Sequence, residues 1–337
     1  MAPRGERLKV TLHDVAARAQ VSIATVSRVV NELSVSPASL ARVRAAVAEL
    51  GYVPNAAART LRSERSWTMG LIFSDLRNTL GIELLDALSE TIEAAGYSLI
   101  ISTARGSAER YDELMRRFLE RRVDALFCIR PPPRAGSLAR YQAAGVPVMA
   151  LFERSGDFEA SPLVRPAFSE PGRALAQHLA GGGHAAVAVV RPPSRSPALA
   201  ALTEALRDER LRVELVEPAE SDGAREIVAG VLARPDRPTA IVAVDPLVRA
   251  VVGACHGLGV AIPGALSVVA VSDLAADAHY RRHGVSAVVI DPHRMGRASG
   301  AAMLAWLGGS VPAERIRVQA ASFAARASSG PAGVVGG

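Results

Sequence analysis

Residues 11–31, TLHDVAARAQVSIATVSRVVN, constrain this chain more than any other stretch. They read as two short helices joined by a tight turn. Thr11 caps the first helix, with Asp14 three residues on as its capping-box partner and as a favourable charge in the first turn. Leu12, Val15, Ala16 and Ala19 recur at helical spacing and form one apolar stripe. Ala19-Gln20-Val21 is the turn, with Gln20 where a glycine is common. Ser22 caps the second helix, which turns Val26, Val29 and Val30 inward. Its outward face then carries Ile23, Ala24, Thr25, Ser27, Arg28 and Asn31. Such a face suits a DNA groove. Small side chains let a helix approach closely, and Thr, Ser and Asn (Thr11 and Ser22 with them) can bond phosphates. Arg28 is a fork of donors matched to the O6/N7 edge of guanine. A helical packing unit with a merely solvated face shares the same core, so the face alone does not decide.

Charge points the same way. Residues 1–66 hold ten Lys/Arg against five Asp/Glu, so +5 of the chain's formal +6 lies there. A basic head on a near-neutral body calls for an anionic partner at the head only. Net charge by itself fits RNA or a membrane surface equally; the helix-turn-helix selects duplex DNA. Residues 1–9 read as a disordered basic arm. Ser36-Pro37 opens a third helix with Leu40, Val43, Ala46, Val47 and Leu50 as its buried stripe, and Gly51 stops it. The three helices make a head too small to be very stable alone. Residues 54–62, PNAAARTLR, have high helix propensity but are too few to hold a helix in water, because nucleation is costly. Such a segment folds when it docks.

Two blocks now stand out together: Val10-Thr11-Leu12-His13-Asp14-Val15-Ala16 with Val21-Ser22 and Ala24-Thr25-Val26-Ser27-Arg28-Val29-Val30-Asn31, then Glu49-Leu50-Gly51-Tyr52-Val53-Pro54-Asn55-Ala56-Ala57-Ala58 with Leu61. In this order and spacing they resemble the lactose-repressor/galactose-repressor (LacI/GalR) family of bacterial transcription regulators. The resemblance spans nearly the whole chain and weakens in the second half. It implies a helix-turn-helix head (residues 1–53), a hinge helix and linker (54–66), and a two-lobed, periplasmic-binding-protein-like α/β effector domain (67–330) with a flexible tail (331–337). It also implies a homodimer on a pseudo-palindromic operator, with repression as the usual mode. In that family the hinge enters the minor groove and wedges a leucine between base pairs; Leu61 holds that position. Tyr52, Asn55 and Ala58 join the DNA contacts on the same basis.

From Trp67 the pattern becomes alternating strands and helices. Strands are expected over 69–73, 97–102, 125–129, 148–151, 185–190, 240–244, 268–271, 287–290 and 317–323. Helices are expected over 81–95, 107–120, 138–144, 171–180, 196–209, 222–233, 246–257 and 295–307. This alternation argues for parallel sheets covered on both faces, in two sets, with a ligand cleft at the strand C-termini. The resemblance implies crossings between lobes near residues 164 and 290 and before the last strand. The stretch after Ser328 reads as a small flexible tail.

The expected cleft departs from the family. Ser74-Asp75-Leu76-Arg77-Asn78 fits the loop that enters it, although Thr79 replaces a proline. Polar positions elsewhere are altered: Phe168 stands for an Asp, Ser196 (beside Arg195) for an Arg, Val244-Asp245 for Asn-Asp, and Ala270-Val271-Ser272-Asp273 for a Gly-aromatic-Asp-Asp run. With Glu153 and Arg191 at the rim, these are the candidate effector contacts. Each buried hydroxyl left without a partner costs about 1–3 kcal/mol, so an ordinary monosaccharide is a poor fit. A less polar effector, an anionic one and none at all remain open.

No enzyme is expected. Gly181-Gly182-Gly183 ends a helix before a strand, the reverse of a phosphate loop. His279 and His283 lack further metal ligands, and Ser272-Asp273 lacks a placed histidine. No cofactor is expected. Glu153 with Asp157 reads as a solvated rim. Cys128 and Cys255 sit in apolar runs and read as buried free thiols. No signal peptide or membrane span is evident, which suits a cytoplasmic protein.

Overall fold

A capping box opens the first helix. In the computed structural model, α1 (Leu12–Ala19) starts at Thr11, whose hydroxyl accepts from the Asp14 N–H while the Asp14 carboxylate accepts from the Thr11 N–H at 2.8 Å. The structure describes residues 10–30, 33–52, 65–74, 80–154, 156–191, 197–218, 223–244, 247–271, 284–313, 315–318 and 321–333. Helix α1 ends at Gln20, which adopts the left-handed conformation at φ 52° that glycine would take without steric cost. Helices α2 (Ile23–Val30) and α3 (Pro37–Leu50) follow, α3 capped by Ser36 and stopped by Gly51 at φ 60°. Val15, Val26 and Val43 are fully buried at the centre, with Ala16, Ala19, Ala46 and Tyr52 around them. An exposed Arg18–Glu49 pair, 2.6 Å, links α1 to α3. The chain divides after Ser66 into this head and a larger body, residues 67–337.

The body holds two six-stranded sheets. The first comprises β1 (Thr68–Phe73), β2 (Ser98–Thr103), β3 (Ala125–Ile129), β4 (Val148–Leu151), β5 (Leu163–Pro166) and β11 (Arg315–Val318), in the order β11-β5-β4-β3-β1-β2. The second comprises β6 (Ala186–Val190), β7 (Arg212–Val216), β8 (Ala240–Val244), β9 (Ser267–Val271), β10 (Ser286–Ile290) and β12 (Ala321–Ala324), in the order β12-β10-β9-β8-β6-β7. Every pairing is parallel except β10 with β12. The central strands are apolar throughout, as buried parallel strands must be. Helices α4 (Leu80–Glu93), α5 (Ala108–Glu120) and α6 (Leu138–Ala143) belong to the first lobe. Helices α7 (Ser169–Gly181), α8 (Pro197–Asp208), α9 (Ala224–Leu232) and α10 (Leu247–Gly257) belong to the second. Helix α11 (Pro292–Leu307) leaves β10 of the second lobe and packs on α4 of the first. The chain thus crosses after β5 and after β10, as expected, and a third time between β11 and β12, inside the expected strand over 317–323 rather than before it.

Three expectations need correction. The single strand over 317–323 is two strands, β11 and β12, in different sheets. β5 and β7 were not foreseen. The segment from Ser328 is pinned rather than loose. Its Ser328 hydroxyl accepts from the Ser286 N–H at 2.7 Å, Ser329 meets Ser286 Oγ at 2.6 Å and His178 Nε2 at 2.8 Å, and the Ala332 N–H donates to Gly182 O at 2.8 Å.

His184 closes this clasp and makes it sensitive to pH. Its Nε2 lies 3.0 Å from the Gly330 carbonyl, which can only accept, so Nε2 carries the proton and Nδ1 accepts from the Thr239 hydroxyl at 2.7 Å. Burial pushes its pKa below the ordinary value and nearby His178 pushes it further, against the pull of the Gly330 carbonyl. A depressed folded-state pKa contributes stability that is full above the unfolded value, about pH 6.5, and is lost as pH falls, because the unfolded chain takes the proton first. Thermal melts should therefore show His184→Gln with a shallower loss of stability between neutral pH and pH 5.5 than the parent. Parallel curves would show that His184 does not drive the loss.

Candidate nucleic-acid interface and ligand cleft

The head presents the second helix outward on a formed core. Ile23, Ala24 and Arg28 are exposed, and Ile23 keeps 39% of its surface in solvent although it is a large apolar residue. Thr25 and Ser27 are half-buried along the same helix. Ser22 caps it, its hydroxyl accepting from the Thr25 N–H at 3.2 Å and meeting Thr25 Oγ1 at 2.9 Å. Arg28 Nε donates to the Ser34 carbonyl at 3.2 Å, which fixes the stem of the side chain. Thr11 is exposed at the α1 N-terminus, its hydroxyl donating to Asp14 at 2.7 Å. These are side chains of the types that read base edges and grip phosphates, held on one short, solvent-facing helix.

Tyr52 differs from the exposed helix face. The ring is 8% exposed and packs in the head's apolar core, so its main work is structural. A seven-residue buried core cannot spare a ring of that size. Asn31, Asn55, Ala58 and Leu61 lie outside the described residues, as does the hinge over 54–62.

In each body sheet the strand order reverses beside the first strand, between β1 and β3 and again between β6 and β8, which places a crevice at the strand C-termini. Three successive strand ends in the first lobe carry non-glycine residues in the left-handed region: Arg105 at φ 53° after β2, Arg130 at 48° after β3 and Phe152 at 69° after β4. Such conformations cost about 1–2 kcal/mol each and gather where ligands are gripped. Arg130 Nε lies 3.6 Å from Glu153 Oε1. Across the crevice Arg191 Nη2 lies 2.6 Å from Glu217 Oε1, where β6 and β7 end. Phe168 is 4% exposed and belongs to the main apolar cluster with Phe152 and Phe73. A phenyl ring there completes a wall and offers no hydrogen bond. Asp75, Arg77, Asn78, Arg195, Ser196, Asp245, Ser272 and Asp273 lie outside the described residues, as do His279 and His283.

Comparison with known proteins shows what this head and body are similar to. Residues 11–55 match the lacI family of bacterial regulatory proteins, and residues 176–329 match the periplasmic binding protein-like domain. The similar proteins are LacI-family repressors. Catabolite control protein A of Priestia megaterium is 28% identical over 275 residues, 78% of this chain and 82% of that protein. The ribose operon repressor of Escherichia coli (strain K12) is 27% identical over 277 residues, 78% and 83% of the two chains. Among solved structures, the lac repressor dimer bound to operator and the anti-inducer ONPF superposes with a TM-score of 0.80 at 24% identity, covering 95% of this chain and 98% of that one. A lacI-type head joined to a periplasmic-binding-protein-like body is the arrangement of LacI-family DNA-binding repressors. Among the described residues there is no group of three metal-ligating side chains, and no helix is long and apolar enough to cross a membrane. Both cysteines are fully buried. Burial pushes the Cys128 thiol up to about 12 and Cys255 up to about 11, so neither is a nucleophile at neutral pH.

Proposed function

We propose that this chain acts as a homodimeric repressor that binds a pseudo-palindromic operator through two heads. The observation that carries this reading is the exposed Ile23–Ala24–Arg28 face on a formed helix-turn-helix. Ile23, Ala24 and Arg28 face base edges in the major groove, while Thr11, Ser22, Thr25, Ser27 and Asn31 hold the backbone. Residues 54–66 serve as the hinge, with Leu61 kinking the central base pairs and Asn55 and Ala58 beside it, as the family resemblance implies. The body dimerises, and a ligand that closes its lobes shifts the population between two dimer geometries. The lac repressor structure, a dimer on its operator, supports this arrangement by likeness of fold. Selection from a random duplex pool by the full chain should return an inverted repeat with half-sites about one helical turn apart, or a multiple of it. Enrichment of a single unrepeated site would contradict the dimer.

The effector of this regulator, where one acts, is not an ordinary monosaccharide. Phe168 and Phe152 supply apolar wall, and Arg191 and Arg130 already face Glu217 and Glu153. Among the described residues few carboxylates are left for ring hydroxyls, each of which costs about 1–3 kcal/mol if buried without a partner. Ribose, glucose and galactose at about 100 times a typical sugar Kd would add roughly 2.7 kcal/mol if they bound. Melting curves with each sugar are expected to coincide with the ligand-free curve; a rise of several degrees with any of them would contradict this.

A further inference from the structure

The first lobe carries a groove of about 580 Å³ at the end of the sheet opposite the crevice. It lies between α6, the N-terminal ends of β4 and β5, and the last turn of α11 with the loop after it. That volume is within the range of small-molecule sites. Leu138, Val146, Trp306 and Val311 form its apolar walls, and no described lining residue is charged. Val311 stands 74% exposed at the mouth.

The groove also holds polar side chains with no protein partner among the described residues. Ser161 is only 7% exposed. Its N–H donates to Phe158 O and its carbonyl accepts from Arg154, yet its hydroxyl has no partner among the described residues. Gln142 and the Trp306 indole N–H line the same space and likewise have none among the described residues. The Ser161 hydroxyl oxygen is not sealed off, so it can bond a molecule that enters the groove. We infer that this groove is a second ligand site, separate from the interlobe crevice, for a neutral ring-bearing molecule with one hydroxyl or carbonyl group. The ring stacks by Trp306 and the aliphatic walls, and the polar group bonds Ser161, with Gln142 in reach of a second bond. An anion or cation would lose its hydration with no opposite charge among the described walls to replace it.

The protein's two tryptophans make a direct test, since Trp67→Phe leaves Trp306 as the reporter. 4-Propylphenol added to this full-length variant should change Trp306 emission saturably, with a Kd at or below about 1 mM, the range open to a ligand of that size. Ser161→Ala should weaken it about five- to tenfold, and Val311→Glu, at an exposed position that folding tolerates, should abolish the change. 4-Propylbenzoate, its charged counterpart, should bind at least about tenfold more weakly. No saturable change in the folded protein, or one unaltered by both substitutions, would overturn the site. Equal binding of the benzoate would overturn its neutral character.

Discussion

Arg28→Ala should weaken operator binding by about 1–3 kcal/mol per half-site, roughly 5- to 150-fold, and relax preference at one base pair. Arg28 is tethered to the Ser34 carbonyl. Because Arg28 Nε already donates to that carbonyl, the two terminal nitrogens are left to bond guanine O6 and N7 end-on. A tethered stem also loses less rotamer freedom on binding than a free one. Arg28→Lys should rescue little, since an ammonium is a point charge without the planar fork. Competition with duplexes changed at single positions checks this. A loss spread evenly over all sequences, with a shallower salt dependence, would make Arg28 a phosphate contact instead.

Gly296→Val should destabilise the body by about 3 kcal/mol, the upper end for overpacking, and lower its melting temperature by roughly 5–10 °C. Helix α11 crosses α4 so closely that a Cβ on Gly296 would stand 2.5 Å from Leu84 O and 2.9 Å from Leu88 N. Both are backbone atoms and cannot swing aside. Gly300, one turn on, meets Thr91 Cγ2 at 2.8 Å in the same way. Since α11 begins where the chain leaves β10, forcing the helices apart strains a lobe crossing as well as a core. Gly253→Ala on α10 is the control: a Cβ there meets nothing within 4 Å, and alanine gains up to about 1 kcal/mol in a helix. Equal melts for the two variants would show that close packing of α11 on α4 is not what Gly296 provides.

Local chemistry explains which features could be foreseen. The Thr11–Asp14 capping box, the Ser22 and Ser36 caps and the Gly51 stop are written in neighbouring residues, and each stands where expected. Ala125–Ile129, Val148–Leu151 and Ala240–Val244 are unbroken apolar runs between turns and match residue for residue. β5 escaped because LVRP holds a buried arginine and a proline that no local pattern favours in a strand. Splitting β11 from β12 depends on pairing with β5 and β10, more than a hundred and about thirty residues away. Ser328 and Ser329 look like loop residues until their partners Ser286 and His178 are found across the sheet. Tyr52 also belongs to the head's apolar core, a role the family resemblance did not indicate. Phe168 and Phe152 join one buried apolar cluster, which their spacing alone could not reveal.

The decisive measurement is fluorescence anisotropy of the full chain, at one fixed salt concentration, on its selected inverted repeat and on a scrambled duplex of equal length. Specific readers separate the two by about a thousandfold or more. The account predicts that gap for the parent chain and a narrower one for Arg28→Ala. Equal affinity for both duplexes would contradict it, leaving the basic head as a charge-driven binder without a site.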